Sequence, residues 1–318
     1  MVRRAVWASL VFAACGGDDA GVSVVDAPPA DAPLPIDAPP VDAPLPIDAT
    51  AACATPDAYP WIDGELHDVV AVLSGAQPLP DGTTLSRRAS SADRARARAY
   101  LIGELARLGV TAEARSYGTG INLVVHLPPT TGADGAPPVI VGGHYDGVAQ
   151  SPAAADNATG AAVAVVAAGY LAGRPRTVPI DIVLFDQEEA GLVGSGAYVQ
   201  ALAGAPIHSM HNFDMISFDG DRDGAVELWS PAPALEALYR THAMARGIPV
   251  EAVTFGLSDH QSFGERGLPS VGVSEEFVSG DHTPDYHRAT DTLDKIDFAY
   301  LGRIARLGLA AIEDDAQD

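Results

Sequence analysis

Lysine is almost missing from this 318-residue chain, where Lys295 stands alone among 19 basic residues and the rest are arginine. Set against 42 aspartates and glutamates, they leave a formal net charge of −23. So acidic a chain repels a phosphate backbone, which excludes nucleic acid as the expected partner. Cysteine is as scarce. Cys15 and Cys53 are the only two, so no disulfide framework is available and the domain must be held by packing or by bound metal. Long apolar runs are missing too. The run from Ala5 to Ala14 is too short to cross a bilayer.

That run follows Arg3 and Arg4 and ends in small residues before Cys15, the pattern of a secretory signal. The small pair ahead of cysteine resembles a bacterial lipoprotein cleavage site. The expectation is an exported, cell-envelope lipoprotein anchored in the membrane through lipidated Cys15, with plain secretion as the alternative. Residues 16–55 are rich in Asp, Pro and Ala, and an eleven-residue stretch at 31–41, DAPLPIDAPPV, recurs almost intact at 42–52. Two such copies cannot bury a core. They read as an extended, self-repelling tether. Residues 1–15 are thus the signal, 16–55 the tether and 56–318 the folded domain, a normal size for one α/β unit. Cys53 lies far from every motif and reads as incidental.

Three stretches of that domain carry chemistry: GGHYDG around His144, ADNATG around Asp156 and FDQEEAG around Glu188 and Glu189. Asp214 in NFDMIS and His287 in DYHRATDT join them. Alone, each has an ordinary reading. An HxD is common, a Glu-Glu pair is usually solvated, and ADNATG could be a turn opening a helix. Three of them, however, follow short apolar runs, PPVIVGG, VPIDIVLF and IHSMHNF, of the kind that form buried parallel strands. In open α/β sheets, reactive groups gather beyond the carboxyl ends of such strands. Two imidazoles, three carboxylates and a spare glutamate are the donors that a pair of zinc ions and a general base require.

In combination these motifs, with SDHQSF and YHRATDTLDKID, resemble the co-catalytic di-zinc aminopeptidases. That family also contains glutaminyl cyclases, glutamate carboxypeptidases and the transferrin-receptor ectodomain. The resemblance covers roughly residues 60 to 315. It implies an exopeptidase that removes N-terminal residues from peptides with a free amino terminus. His144 and Asp214 would hold one zinc, Glu189 and His287 the other, and Asp156 would bridge them. Glu188 would be the general base for a hydroxide between the metals, and Asp146 would orient His144. A cis peptide at Asp156-Asn157 is also implied.

Two positions depart from the family wording. Phe255 stands where some relatives have a tyrosine that helps stabilise the oxyanion, leaving the zinc ions, Tyr286 or Tyr145 to serve. His282 competes with His287 as the last ligand, and the distance to Asp291-Thr292 favours His287. His260 is expected to be structural, and His126, His208, His211 and His242 to be surface or packed residues.

The expected architecture is an αβα sandwich with a mixed, mostly parallel central sheet. Helices are expected near 64–75, after Ser90, over 159–172, after Gly191, over 232–246 and over 297–313. A hairpin spans VTAEARSY and GINLVVHL, and strands follow up to His144 and at 178–185, 207–214, 250–254 and 269–274. Loops 257–267 and 276–292 would rim the substrate pocket. Three other readings remain. A single-zinc glutaminyl cyclase would carry TDS in place of Asp156-Asn157 and tryptophan in place of Tyr286. A glutamate carboxypeptidase would cluster arginines. A binding module or surface scaffold on the same fold would have lost ligands.

Overall fold

The computed structural model describes residues 54–317 apart from 133 and 134. The expected signal, Cys15, the repeat and Cys53 lie outside the described residues. The first helix, α1 (Trp61–Leu73), begins directly after Pro60, a few residues earlier than the apolar spacing suggests. In α2 (Ser91–Arg107) the Ser90 hydroxyl accepts the backbone N–H of Asp93 and bonds its carboxylate in return. Such a cap is worth about 1 kcal/mol. The expected hairpin is β1 (Ala112–Tyr117) and β2 (Gly120–Leu127), paired from Tyr117↔Gly120 to Ala112↔Val125.

From there strands and helices alternate: β3 (Val139–His144), α3 (Thr159–Ala172), β4 (Ile180–Phe185), α4 (Val193–Ala201) and β5 (Ser209–Phe213). They are followed by β6 (Val226–Trp229), α5 (Pro233–Arg246), β7 (Val250–Val253), the short α6 (His260–Gly264), β8 (Ser270–Ser274) and α7 (Phe298–Asp315). The eight strands form one sheet in the order β1-β2-β4-β3-β5-β8-β6-β7. The inner pairs β4–β3, β3–β5 and β5–β8 are parallel, as is β6–β7. The pairs β1–β2, β2–β4 and β8–β6 are antiparallel. The sheet is mixed and mostly parallel, as expected. Strand β6 and helix α6 are additions to the sequence reading.

Two-residue alternation divides the core between the two faces of the sheet. Val139 and Val141 of β3, Ile180, Ile182 and Leu184 of β4, and Leu123 and Val125 of β2 pack with α1, α2, α3, α5 and α7. Ile140, Val183, Phe185 and Val124 point the other way, against Tyr198 of α4 and Phe263 of α6. Helix α3 is buried at every residue except Gly169 and Ala172, so it runs through the middle of its layer. Its N-terminus lies hard against the sheet at two glycines. A Cβ on Gly143 would stand 2.9 Å from the Gly160 backbone, and one on Gly160 would stand 2.1 Å from the Phe213 carbonyl oxygen. Any side chain there would push the helix start away from the ends of β3 and β5.

Candidate metal centre

The parallel strands deliver their polar residues to one edge. His144 is the last residue of β3, Glu188 and Glu189 follow β4, and Asp214 directly follows β5. Asp156 sits in an irregular turn ahead of α3, with non-helical backbone angles, and its peptide bond to Asn157 is cis. His287 comes from the loop after β8 and has a positive φ of 56°. The structure brings all six together, with Asp146 behind them.

Two clusters adjoin, and Asp156 of the second reaches His144 of the first. His144, Glu188 and Asp214 place donor atoms within 4.8 Å of one another, and so do Asp156, Glu189 and His287. Asp156 turns one oxygen to each histidine, 3.3 Å from His144 Nε2 and 2.9 Å from His287 Nε2. His287 Nε2 also stands 3.1 Å from Glu189 Oε2. His144 Nε2 lies 3.6 Å from Asp214 Oδ1 and 3.8 Å from Glu188 Oε2. His282 forms no ion pair with these carboxylates among the described residues, and its ring packs against Phe277.

A layer of fixed partners holds these groups. Asp146 accepts the backbone N–H of Glu188 at 3.0 Å and that of Glu189 at 3.2 Å. It also stands 3.3 Å from His144 Nδ1. Asp214 Oδ2 accepts the Ser258 hydroxyl at 2.6 Å, and Asn212 in turn donates to that hydroxyl at 2.7 Å. Asn157 donates to the Phe213 carbonyl and accepts the N–H of Gly160, joining this turn to β5 and α3.

Three partners were not singled out from sequence. Asp291 accepts the N–H groups of Ala155 and Asp156 at 2.7 and 3.3 Å. Arg88, fully buried, donates to the carbonyls of Tyr145, Leu73, Pro152 and Ala153. Asp259, also fully buried, has no well-formed hydrogen bond on either oxygen among the described residues. The Asp259 signal was available in SDHQSF. The other two act on backbone groups far off in sequence, which no local pattern records.

The charge balance shows that a cation fits here. Burial opposes protonation of His144, yet Glu188, Asp214, Asp146 and Asp156 outweigh it and raise its pKa well above the usual imidazole value. Hydrogen bonds to Asp156 and Glu189 raise His287 to about 10. Burial, helped by Asp214 and Asp259, pushes Glu188 well above the carboxylate range. Burial and Asp214 bring Asp259 to about 7, against the pull of His144. Asp156 alone is held low: burial would raise it, but its bonds with the two imidazoles prevail. Carboxylates thus outnumber imidazoles, and among the described residues Glu189 Oε1 and Asp214 Oδ1 are buried without hydrogen-bond partners. Nitrogen and oxygen donors of this kind suit a zinc-like ion, which would reverse this local electrostatic order.

Other expectations at the site sort cleanly. Tyr145 is fully buried and its hydroxyl donates to the Ile121 carbonyl and accepts from Arg98, so it is spent away from the centre. Phe255 packs on Trp229 and Phe277. Tyr286 stacks on His287 with 3.8 Å between centroids and stays partly exposed. His260 is buried, with Nε2 donating to the Phe255 carbonyl. His126 and His242 lie at the surface against Asp181 and Asp314, while His208 and His211 pack around Asp315. A cavity of about 630 Å³ lined by α1, α5 and α7 includes none of the clustered residues.

The sequence pattern described as Peptidase family M28 is matched over residues 122–312. This chain belongs to peptidase family M28. It is 28% identical over 200 residues to the probable lipoprotein aminopeptidase LpqL of Mycobacterium tuberculosis, covering 52% of this chain and 40% of that protein. The crystal structure of BSAP, a zinc aminopeptidase from Bacillus subtilis, is similar with a TM-score of 0.59 at 26% identity, over 64% of this chain and 52% of that one. A glutaminyl cyclase from Bacteroides thetaiotaomicron shares the fold at a TM-score of 0.63 and 16% identity, over 79% of this chain and 97% of that one. The chain spans about half the length of the curated relatives it matches, or less.

Proposed function

We propose that this chain is a zinc-dependent aminopeptidase that holds two zinc ions and releases N-terminal residues from peptides. The observation that carries the reading is the pair of adjoining clusters linked by Asp156, which turns one oxygen to His144 and one to His287, with Glu188 beside His144 and Asp214. His144 and Asp214 would hold one ion, Glu189 and His287 the other, and Asp156 both. When bound, the zinc ions would polarise the scissile carbonyl and acidify a water molecule.

The protein's own residues do the rest. Glu188 is set beside the first cluster with its backbone N–H held by Asp146, so its carboxylate can take a proton from water and return one to the leaving amine. Asp146 favours the proton on His144 Nδ1, which leaves Nε2 facing the carboxylates. The negative charge of the site draws the substrate's α-ammonium. Glu188, Glu189 and His287 are partly exposed while His144, Asp156 and Asp214 are buried, so substrate approaches from the side of the loop after β8. With Tyr145 spent elsewhere, Tyr286 is the tyrosine positioned to meet a substrate oxygen.

Export, with lipidation of Cys15, is part of the same proposal. It is supported by the signal-like N-terminus and by the name of the mycobacterial relative. Among the described residues no helix is long and apolar enough to cross a membrane.

Hydrolysis of leucine p-nitroanilide by the full chain, beside its N-acetylated counterpart and with zinc or chelator, tests the activity. Chelator-sensitive cleavage of the free-amine substrate alone is the expected result. A folded, zinc-loaded protein that cleaves neither would sink the proposal. Cyclisation of an N-terminal glutamine by that same sample would replace it.

A further inference from the structure

The loop between β5 and β6 reads Asp219-Gly220-Asp221-Arg222-Asp223-Gly224, with acids at alternate positions and Gly224 at a φ of 70°. Each acid spends one oxygen on the loop's own backbone. Asp219 accepts the N–H of Gly224 at 3.2 Å, Asp221 that of Asp223 at 3.1 Å, and Asp223 that of Ala225 at 2.8 Å. Such a loop by itself is a common surface feature. The twelfth position, where a calcium loop of the helix–loop–helix type carries glutamate, is Ser230 here.

What sets this loop apart is Glu276, which follows β8 across from it. Glu276 is only 9% exposed, and its side chain makes no hydrogen bond or ion pair among the described residues. Its carboxylate is aimed at the loop, with a donor oxygen within 4.8 Å of those of Asp221 and Asp223. Asp281, five residues on, accepts the N–H groups of Gly220 and Asp221 at 2.7 and 3.1 Å and groups with Asp219 and Asp221. Arg303 lies against Gly224, yet no basic side chain pairs with any of the five acids among the described residues. A carboxylate with no basic partner, crowded by like charges, costs free energy unless a proton or a cation neutralises it.

We propose that Asp219, Asp221, Asp223, Glu276 and Asp281 form a second metal site, which takes a hard divalent cation of the calcium kind. All the donors are oxygen, with no imidazole or thiolate to favour a transition metal. They come from two irregular loops, and calcium tolerates such variable geometry where magnesium demands a near-regular octahedron. The site shares no residue with the His144 centre and does not depend on the proposed peptidase activity. Its consequence reaches that centre all the same, because Glu276 and Asp281 open the loop that carries His287. A bound cation would tie this loop to the β5–β6 loop.

Calorimetric titration of the zinc-loaded full chain with calcium chloride, and separately with magnesium chloride, tests the site. One calcium per chain is expected, with a higher thermal midpoint and clearly weaker magnesium binding. Glu276→Gln and Asp221→Asn should each weaken calcium binding by about tenfold or more, with zinc content unchanged. Asp221 is exposed, so its variant decides the matter should Glu276→Gln fail to fold. Absence of saturable binding in the unmodified chain, or unaltered binding in the variants, would overturn the site. Equal affinity for magnesium would overturn the assignment to calcium.

Discussion

Asp146 accepts the backbone N–H of Glu188 at 3.0 Å, so the proposed base is fixed by its main chain and not by its side chain. The carboxyl end of Glu188 therefore stays free to exchange a proton. The same aspartate reaches Glu189 N–H and His144 Nδ1. One carboxylate thus sets one proposed ligand in each cluster as well as the base between them.

Asp146→Asn keeps the side-chain volume but turns an NH2 group toward one of those donors. Zinc affinity is expected to fall by about 10–100-fold, the usual effect of losing a ligand's supporting partner. Chelator competition on the folded variant measures it. Undiminished affinity would show that Asp146 does not position the ligands.

Glu188→Gln should cut kcat by about 10²–10⁴-fold, the range for a lost general acid–base group. Elemental analysis should still find two zinc ions per chain. Turnover close to that of the unmodified protein would place the base elsewhere.

The parallel strands and their polar ends were legible because each is an apolar run that stops at a functional residue. Strand β6 was not. It is short, and Glu227 interrupts its apolar pattern although fully buried, where it accepts Trp229 Nε1–H and the N–H groups of Val278 and Ser279. The clustered side chains were legible as a set, because their chemistry is written in residue type. Of their supports Asp146 was legible in HYD, but Arg88 and Asp291 were not, because they act on carbonyl and N–H groups that any residue could supply. Tyr145 shows the converse. Its place in HYD suggests the centre, yet alternation out of β3 sends its hydroxyl to Ile121.

Arg88 gathers four carbonyls from α1, the segment after β3 and the approach to Asp156. Burial lowers its pKa to about 10, so it remains charged near neutrality. Arg88→Met takes the guanidinium from all four carbonyls, of which Ala153 still accepts the Ala158 N–H, at a cost of about 3 kcal/mol or more. For a domain of this size the midpoint should drop by roughly 6–12 °C. A thermal melt with midpoint unchanged would mean that solvent replaces the guanidinium.

Asp315 closes the far end of the fold, where α7 meets the start of β5. It accepts bonds from the Ser209 hydroxyl and from His211 Nε2, and His208 lies 3.4 Å away. Burial works to raise its pKa, but the bonds and charge of His211, with Ser209 and His208, hold it down to about 2. Because the folded value lies below the unfolded one of about 3.9, the native state gains from the ionised form. That gain is complete above the unfolded value and is lost as pH falls through the folded one. Asp315→Asn should therefore cost about 2–3 kcal/mol at pH 7 and little near pH 2. Urea unfolding of both proteins at several pH values, with chelator present throughout so that zinc loss does not contribute, measures the difference. A cost independent of pH would show that Asp315 acts by packing and neutral hydrogen bonding, with no part for its charge.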